Sequence, residues 1–255
     1  MANQELADFL RSRRSRLRPE GVALAAHRRR RTPGLRREDV AQRAGISVEW
    51  YVKLEQGRAV SPSDETLDAL GRALELDAVE QAHLRSLVGK ANSTPFAREV
   101  APASIRRLVE SLAQPAYVTG QRWDILAWNA AAAELFGDFA RMPVKDRNIL
   151  LFVLTDPKAR RLFGTGWAKE AKRMVSLFRA THDLWAGDAA FAEMVERFRM
   201  GCPEFNDWWQ THDVGAPVSG TKLLHHPVRG PVQFEYATFQ ANDDPRLKLA
   251  IYFER

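Results

Sequence analysis

The chain reads as two domains of different class: an all-α five-helix unit over residues 1–90, then an α+β unit over residues 104–255. Three observations lead there. Up to Val88 the apolar residues recur only with the 3.6-residue period of helices. Near the C-terminus the period switches to two, with Val232, Phe234 and Tyr236 sharing one face of a strand and Leu247, Leu249, Ile251 and Phe253 one face of another. Between the two regimes lies KANSTPFAREVAPA, a Pro/Ala/polar stretch without a period, so residues 91–103 read as a linker.

Composition allows both domains real cores. The 255 residues are 45% hydrophobic, with seven Trp and thirteen Phe, which argues against disorder. The single cysteine, Cys202, leaves no internal disulfide framework and fits a reducing cytoplasm. No uninterrupted apolar run approaches eighteen residues, and the N-terminus has no signal-peptide core, so a cytoplasmic protein without membrane contact is expected. Metal-ligand spacings such as CxxC or HExxH do not occur, and neither a metal nor a cofactor is expected.

In chain order, Glu5–Leu17 is the first expected helix, apolar at Leu6, Phe9, Leu10 and Leu17, and stopped by Pro19. The run His27–Gly34 follows. It reads either as a solvated linker or as an arm in which Arg29, Arg30 and Arg31 reach a phosphate backbone or the minor groove. Leu35–Gly57 then divides into two short helices around Ala44-Gly45-Ile46-Ser47. Val40, Ala41 and Ala44 share a face; Gly45 can take the positive φ that ends a helix; Ser47 suits the N-cap of the next. In that helix Tyr51 and Leu54 continue the buried stripe, while Val48, Glu49 and Lys53 point outward. Ser63 caps a fourth helix along Leu67, Leu70, Ala73 and Leu74. A fifth carries Leu84, Leu87 and Val88.

Two helices crossed over a tight glycine turn make a helix-turn-helix, whose second helix presents its first residues to base edges in the major groove. Charge separates this from an ordinary helical hairpin. Residues 1–60 hold 14 Lys/Arg against 7 Asp/Glu, so the chain's whole excess of +6 sits beside the motif, the footprint of phosphate binding. Glu49 can accept from cytosine N4, Lys53 can donate to guanine, and Val48 can pack on a thymine methyl.

Residues 5–89 resemble the lambda-repressor-like, xenobiotic-response-element (XRE) type of helix-turn-helix domain. The residues that carry the resemblance are Val40-Ala41, Gly45-Ile46-Ser47, Tyr51, Leu54-Glu55-Gln56-Gly57-Arg58 and the leucine-rich helix after them. The resemblance implies base reading by Val48, Glu49 and Lys53 behind Ser47, phosphate contacts by Arg37, Gln56 and Arg58, and an internal ion pair between Arg14 and Glu55. The long basic insertion between helices one and two departs from the family pattern.

In the second domain a short helix through Ile105, Leu108, Val109 and Leu112 is stopped before Pro115. Ala116–Thr119 and Trp123–Trp128 read as strands turned at Gly120, and Asn129 begins a helix ended by Gly137, an opening common to sensor folds of the PAS kind. Ala171, Met174, Val175 and Phe178 mark a long helix, Phe191, Met194, Val195 and Phe198 another, and Pro203-Glu204 opens a third with Phe205, Trp208 and Trp209. With the period-two strands this gives a PAS-like α+β domain, a five-stranded antiparallel sheet with helices on one face.

This half resembles the ligand-binding domain of MmyB-like transcription regulators. The matching pieces are Asp124-Ile125-Leu126-Ala127-Trp128-Asn129, Arg147-Asn148, Trp167, Val175 with Arg179, Pro203-Glu204-Phe205, Trp208, His212-Asp213-Val214, Lys222, His226-Pro227 and Gly230. The resemblance implies a homodimeric transcription regulator of double-stranded DNA, controlled by a small apolar ligand such as a fatty acid or hydrophobic metabolite. Pockets for such ligands are mostly apolar with a few convergent polar groups. The candidate ligand residues are Arg147, Asn148, Trp128, Trp167, Arg179, Phe205, Trp208 and His212, with an Arg to hold a carboxylate. The aromatic residues of this set read as core ahead of ligand wall, His212 as a hydrogen-bonded structural histidine, and Asn129 as a cap.

Two other functions compete. In one, the C-terminal domain only dimerises or binds a protein partner. The other is an enzyme fused to a DNA-binding domain. It is disfavoured because no G-x-S-x-G, Walker or Rossmann fingerprint occurs and no His stands with a recognisable nucleophile.

Overall fold

A computed structural model describes residues 2–17, 34–88, 95–185, 187–215 and 219–255. The chain divides into two compact units. The first comprises Met1–Thr94 with the short pieces Asp183–Asp188 and Thr211–Val214; the second holds the remainder.

Five helices build the described part of the first unit: α1 (Ala2–Arg16), α2 (Arg37–Ala44), α3 (Val48–Glu55), α4 (Asp64–Ala73) and α5 (Ala78–Val88). Their apolar stripes meet in one core that includes Phe9, Leu10, Leu35, Val40, Tyr51, Leu54, Leu70 and Leu84, all nearly inaccessible. Gly34 is required by its neighbourhood. Its φ is +86°, and a Cβ there would lie 2.4 Å from the Arg14 carbonyl oxygen, so the chain can return against α1 only through glycine. The expected Arg29–Arg31 arm lies outside the described residues.

In the second unit α6 (Ala103–Ser111) leads into β1 (Ala116–Thr119) and β2 (Ile125–Trp128). There follow α7 (Ala130–Phe136), α8 (Ile149–Thr155), α9 (Pro157–Phe163), α10 (Trp167–Leu184), α11 (Ala189–Gly201) and α12 (Phe205–Gln210). The last strands are β3 (Gly220–His226), β4 (Gly230–Gln240) and β5 (Lys248–Glu254). The strands form one antiparallel sheet in the order β2-β1-β5-β4-β3. The first hairpin therefore joins the last strand, so the sheet closes only when the whole domain is made.

One face of this sheet carries Tyr117, Tyr236, Ala250 and Tyr252 beneath α7, α8, α9 and α10. The other face is also used. Val109 of α6 packs with Val118, Ala127 and Ile251. The Leu249/Ile251 stripe of β5 thus lies under α6, while Lys248, Ala250 and Tyr252 look toward the main helical layer. A strand covered on both faces loses the one-sided alternation from which its inward face could be read.

Candidate functional site: a recognition helix and a ligand cavity

The helix-turn-helix is held by local chemistry. Gly45 takes φ +67°; its N–H donates to the Gln42 carbonyl and that of Ile46 to the Ala41 carbonyl at 3.0 Å, closing α2. Asp39 caps the start of α2 by accepting from the Arg36 N–H at 2.8 Å. Ser47 Oγ accepts the Trp50 N–H at 3.2 Å and caps α3. Beneath the turn, Glu55 is fully buried and accepts from Arg14 Nε at 2.5 Å and Arg37 Nε at 2.6 Å. Burial alone would push its carboxyl up; the two guanidinium groups outweigh that and hold it below the usual glutamate range.

The outer side of α3 is open. Val48 and Glu49 are exposed, Lys53 is half-buried, and Gln56 and Arg58 are exposed at the C-terminal end. Glu49 Oε1 and Lys53 Nζ pair at 2.9 Å, one turn apart. Hydrogen bonding from Lys53 keeps the Glu49 carboxyl low, so it meets an approaching duplex as a carboxylate. Either can exchange this weak surface pair for a base edge at little cost. If they do, Lys53→Ala should change base preference at one position by about 1–3 kcal/mol, read as a changed logo in a random-duplex selection. An unchanged logo with uniformly weaker binding would make Lys53 a phosphate contact.

In the second unit a cavity of about 170 Å³ lies between α10 and the sheet. Its middle is apolar, walled by Phe136, Ile149, Val153, Met174, Leu177 and Ala250. One end carries a half-buried charge cluster. Glu170 accepts from Arg173 at 2.7 and 3.0 Å and from Lys222 Nζ at 2.8 Å. The Lys222 ammonium sits 4.0 Å from the Tyr236 ring centroid and 5.4 Å from that of Tyr252, where the ring faces attract it. Burial would raise the Glu170 carboxyl, but Arg173 and Lys222 prevail and hold it low. The Tyr117 and Tyr252 hydroxyls lie 3.4 Å apart, and burial pushes both phenols up, so they stay protonated donors.

Comparison with known families decides what kind of protein this is. The model of the MmyB-like transcription regulator ligand binding domain matches residues 101–255, and that of a helix-turn-helix domain matches residues 5–84. The chain belongs to the MmyB-like transcription regulators. No curated protein matches it. This MmyB-like chain is a DNA-binding transcription regulator with a ligand-binding domain. Among its described residues no helix is long and apolar enough to cross a membrane.

Of the DNA-side residues named from the sequence, Ser47, Val48, Glu49, Lys53, Gln56 and Arg58 come together on the MmyB-like protein's α3 and its flanks, Arg37 at the start of α2 turns partly inward to Glu55, and Arg29, Arg30 and Arg31 lie outside the described residues. The eight ligand-side residues do not: none lines the cavity. Arg147 stacks 5.2 Å from the Trp128 ring and donates to the Met142 carbonyl at 3.0 Å. Asn148, wholly buried, caps α8 by accepting from the Leu150 and Leu151 N–H groups. Trp167 Nε1 donates to the Val153 carbonyl at 2.7 Å and its ring packs on Trp208. Arg179, 1% exposed, lies over the Trp209 ring and donates to that residue's carbonyl. Phe205 stacks on Trp209 in the same core. His212 belongs to the first unit, where its carbonyl accepts from Arg13 at 2.6 Å.

Among the polar residues that line the cavity, Arg173, Lys222, Lys248, Tyr117 and Tyr252 had no assigned role in the sequence reading. One signal was available for two of them: Lys248 and Tyr252 alternate with Leu249 and Ile251, and a strand with two usable faces can turn either inward. Cys202 offers no nucleophile near neutral pH, because burial, aided by Glu204, pushes its thiol up to about 11.

Proposed function

We propose that the protein is a sequence-specific, cytoplasmic regulator whose grip on double-stranded DNA is set by a small apolar ligand of fatty acid-like or similar hydrophobic character. The reading assigns DNA binding to residues 1–90 and ligand binding to residues 104–255, with 91–103 as the link. Ser47, Val48, Glu49 and Lys53 read bases; Arg37, Gln56, Arg58 and the Arg29–Arg31 arm hold phosphates. The protein acts as a homodimer, because two recognition helices about one DNA turn, ~34 Å, apart read two half-sites. The ligand then acts by favouring one arrangement of the pair, and its effect is bounded by its differential affinity for the two arrangements.

The observation that carries the ligand half is the apolar-walled cavity beside α10. Its test uses occlusion. Ala250, 8% exposed, faces the cavity from β5, and Ala250→Phe should fill the space that a ligand needs. Decanol and decanoate are expected to raise the melting temperature of the native protein, since a ligand at about 100 times its Kd adds about 2.7 kcal/mol to the native state. Ala250→Phe should abolish that rise. Absence of any rise in the native protein would favour a C-terminal domain that only dimerises or binds a protein partner.

A further inference from the structure

The cavity is polar at both ends, and its two walls repeat the pattern in register. On α10, Arg173, Leu177 and Thr181 fall at i, i+4 and i+8, on one face and spanning ~12 Å at 1.5 Å per residue. On β5, Tyr252, Ala250 and Lys248 alternate inward over ~13 Å. The polar ends coincide. The Arg173 guanidinium lies 5.6 Å from the Tyr236 ring, and Tyr236 pairs with Tyr252. At the far end Lys248 pairs with Thr119, and Trp123, just beyond β1, packs on Phe178 of α10.

The ends differ in their electrostatics. Both cations near Tyr252 already bind Glu170, so a second carboxylate there would face a like charge. The tyrosine pair spends one proton on itself, which leaves one O–H for an acceptor. Lys248 lines the cavity from the exposed first position of β5 and has no carboxylate ion-paired with it among the described residues. A volume of 170 Å³ is little more than a cavity that admits a benzene ring. Drawn out over ~12 Å of α10, it describes a slot for an extended chain.

We propose that the ligand is bipolar: an extended aliphatic chain with a carboxylate at Lys248 and an uncharged oxygen, hydroxyl or carbonyl, at the Tyr117–Tyr252 pair. This rests on the cavity being the ligand site.

Calorimetric titration of the full chain with decanoate, 10-hydroxydecanoate and 1-decanol tests it. The hydroxy acid should bind about tenfold more tightly than decanoate, the worth of one buried hydrogen bond, and Tyr252→Phe should erase most of that margin. Lys248→Met should weaken both acids about tenfold without weakening 1-decanol, and Lys248→Arg should restore them. Equal affinities for decanoate and its hydroxylated form would overturn the bipolar assignment while leaving the cavity as a ligand site. So would a Lys248→Met protein that still prefers acids to 1-decanol. Failure of all three probes to bind would remove the cavity reading together with this one.

Discussion

Glu55→Ala is expected to cost the first unit about 3 kcal/mol, the low end for breaking one partner out of a buried ion pair. The carboxylate is fully buried between two arginines. Arg14 keeps only 13% of its side chain exposed and would stay charged without its partner. Arg37, 42% exposed, can turn to water, so its share is discounted to the 0–1 kcal/mol of a surface pair. Against a typical total of about 5–15 kcal/mol, such a loss should appear as a lowered urea midpoint for the helical unit, with decanoate binding in the other unit intact. Arg37→Ala is the control and should lose well under half as much. The pH dependence has a fixed sign. Glu55 is held below the ~4.3 of an unfolded glutamate, so the unfolded chain takes up its proton first as pH falls. The stabilisation is complete above that value and disappears as pH drops through the folded one. Glu55→Gln should flatten that part of the stability profile.

The helix-turn-helix was legible because its determinants are local. Gly45, Ser47 and the Val40/Ala41/Ala44 stripe act within one or two turns of themselves, and sequence spacing reports such interactions directly. The Arg14–Glu55 pair, forty-one positions apart, was reached through resemblance, since nothing in the intervening sequence marks it. Long-range placement also hid a feature of the first unit. Asp183 is buried against His83 Nε2 at 3.0 Å, and neither period nor motif ties those two positions together.

In the second unit the elements were legible and the cavity was not. The apolar stripes of α10 and α11, the Gly120 turn and the Asn129 cap all follow from local pattern, and the structure has each of them. The aromatic and arginine residues with the strongest individual signals became core. Trp167 and Arg179 donate to the Val153 and Trp209 carbonyls and Phe205 stacks on Trp209, partners that satisfy a buried side chain within the protein itself. The cavity is made where strands β1, β4 and β5 meet α10. Its polar residues were spaced for a strand order, β1 beside β5, that only the assembled sheet reveals.

Asn129→Ala should be the costliest single change in the second unit. This side chain, 6% exposed, uses its full hydrogen-bonding capacity. Its Oδ1 accepts from the N–H groups of Ala116 at 3.1 Å and Ala132 at 2.9 Å, and its Nδ2 donates to the carbonyls of Leu112 at 2.9 Å and Gln114 at 2.7 Å. It therefore ties the exit of α6, the start of β1 and the N-terminus of α7 at one point. Alanine would strand four backbone groups, each worth about 1–3 kcal/mol when left unmade and buried. With some admitted to water, a loss of about 4 kcal/mol is expected. Asn129→Ser keeps only the cap on α7 and should recover about 1 kcal/mol of it. Asn129→Asp keeps both acceptances but turns an oxygen toward two carbonyls, and should be no better than alanine. Because Tyr117 of β1 and Phe136 of α7 both wall the cavity, any of these variants that still folds should also bind decanoate more weakly. Equal stability of the serine and alanine proteins would show that the cap contributes nothing. A loss below about 1 kcal/mol for alanine, the worth of a single hydrogen bond, would mean that water replaces the asparagine at this junction.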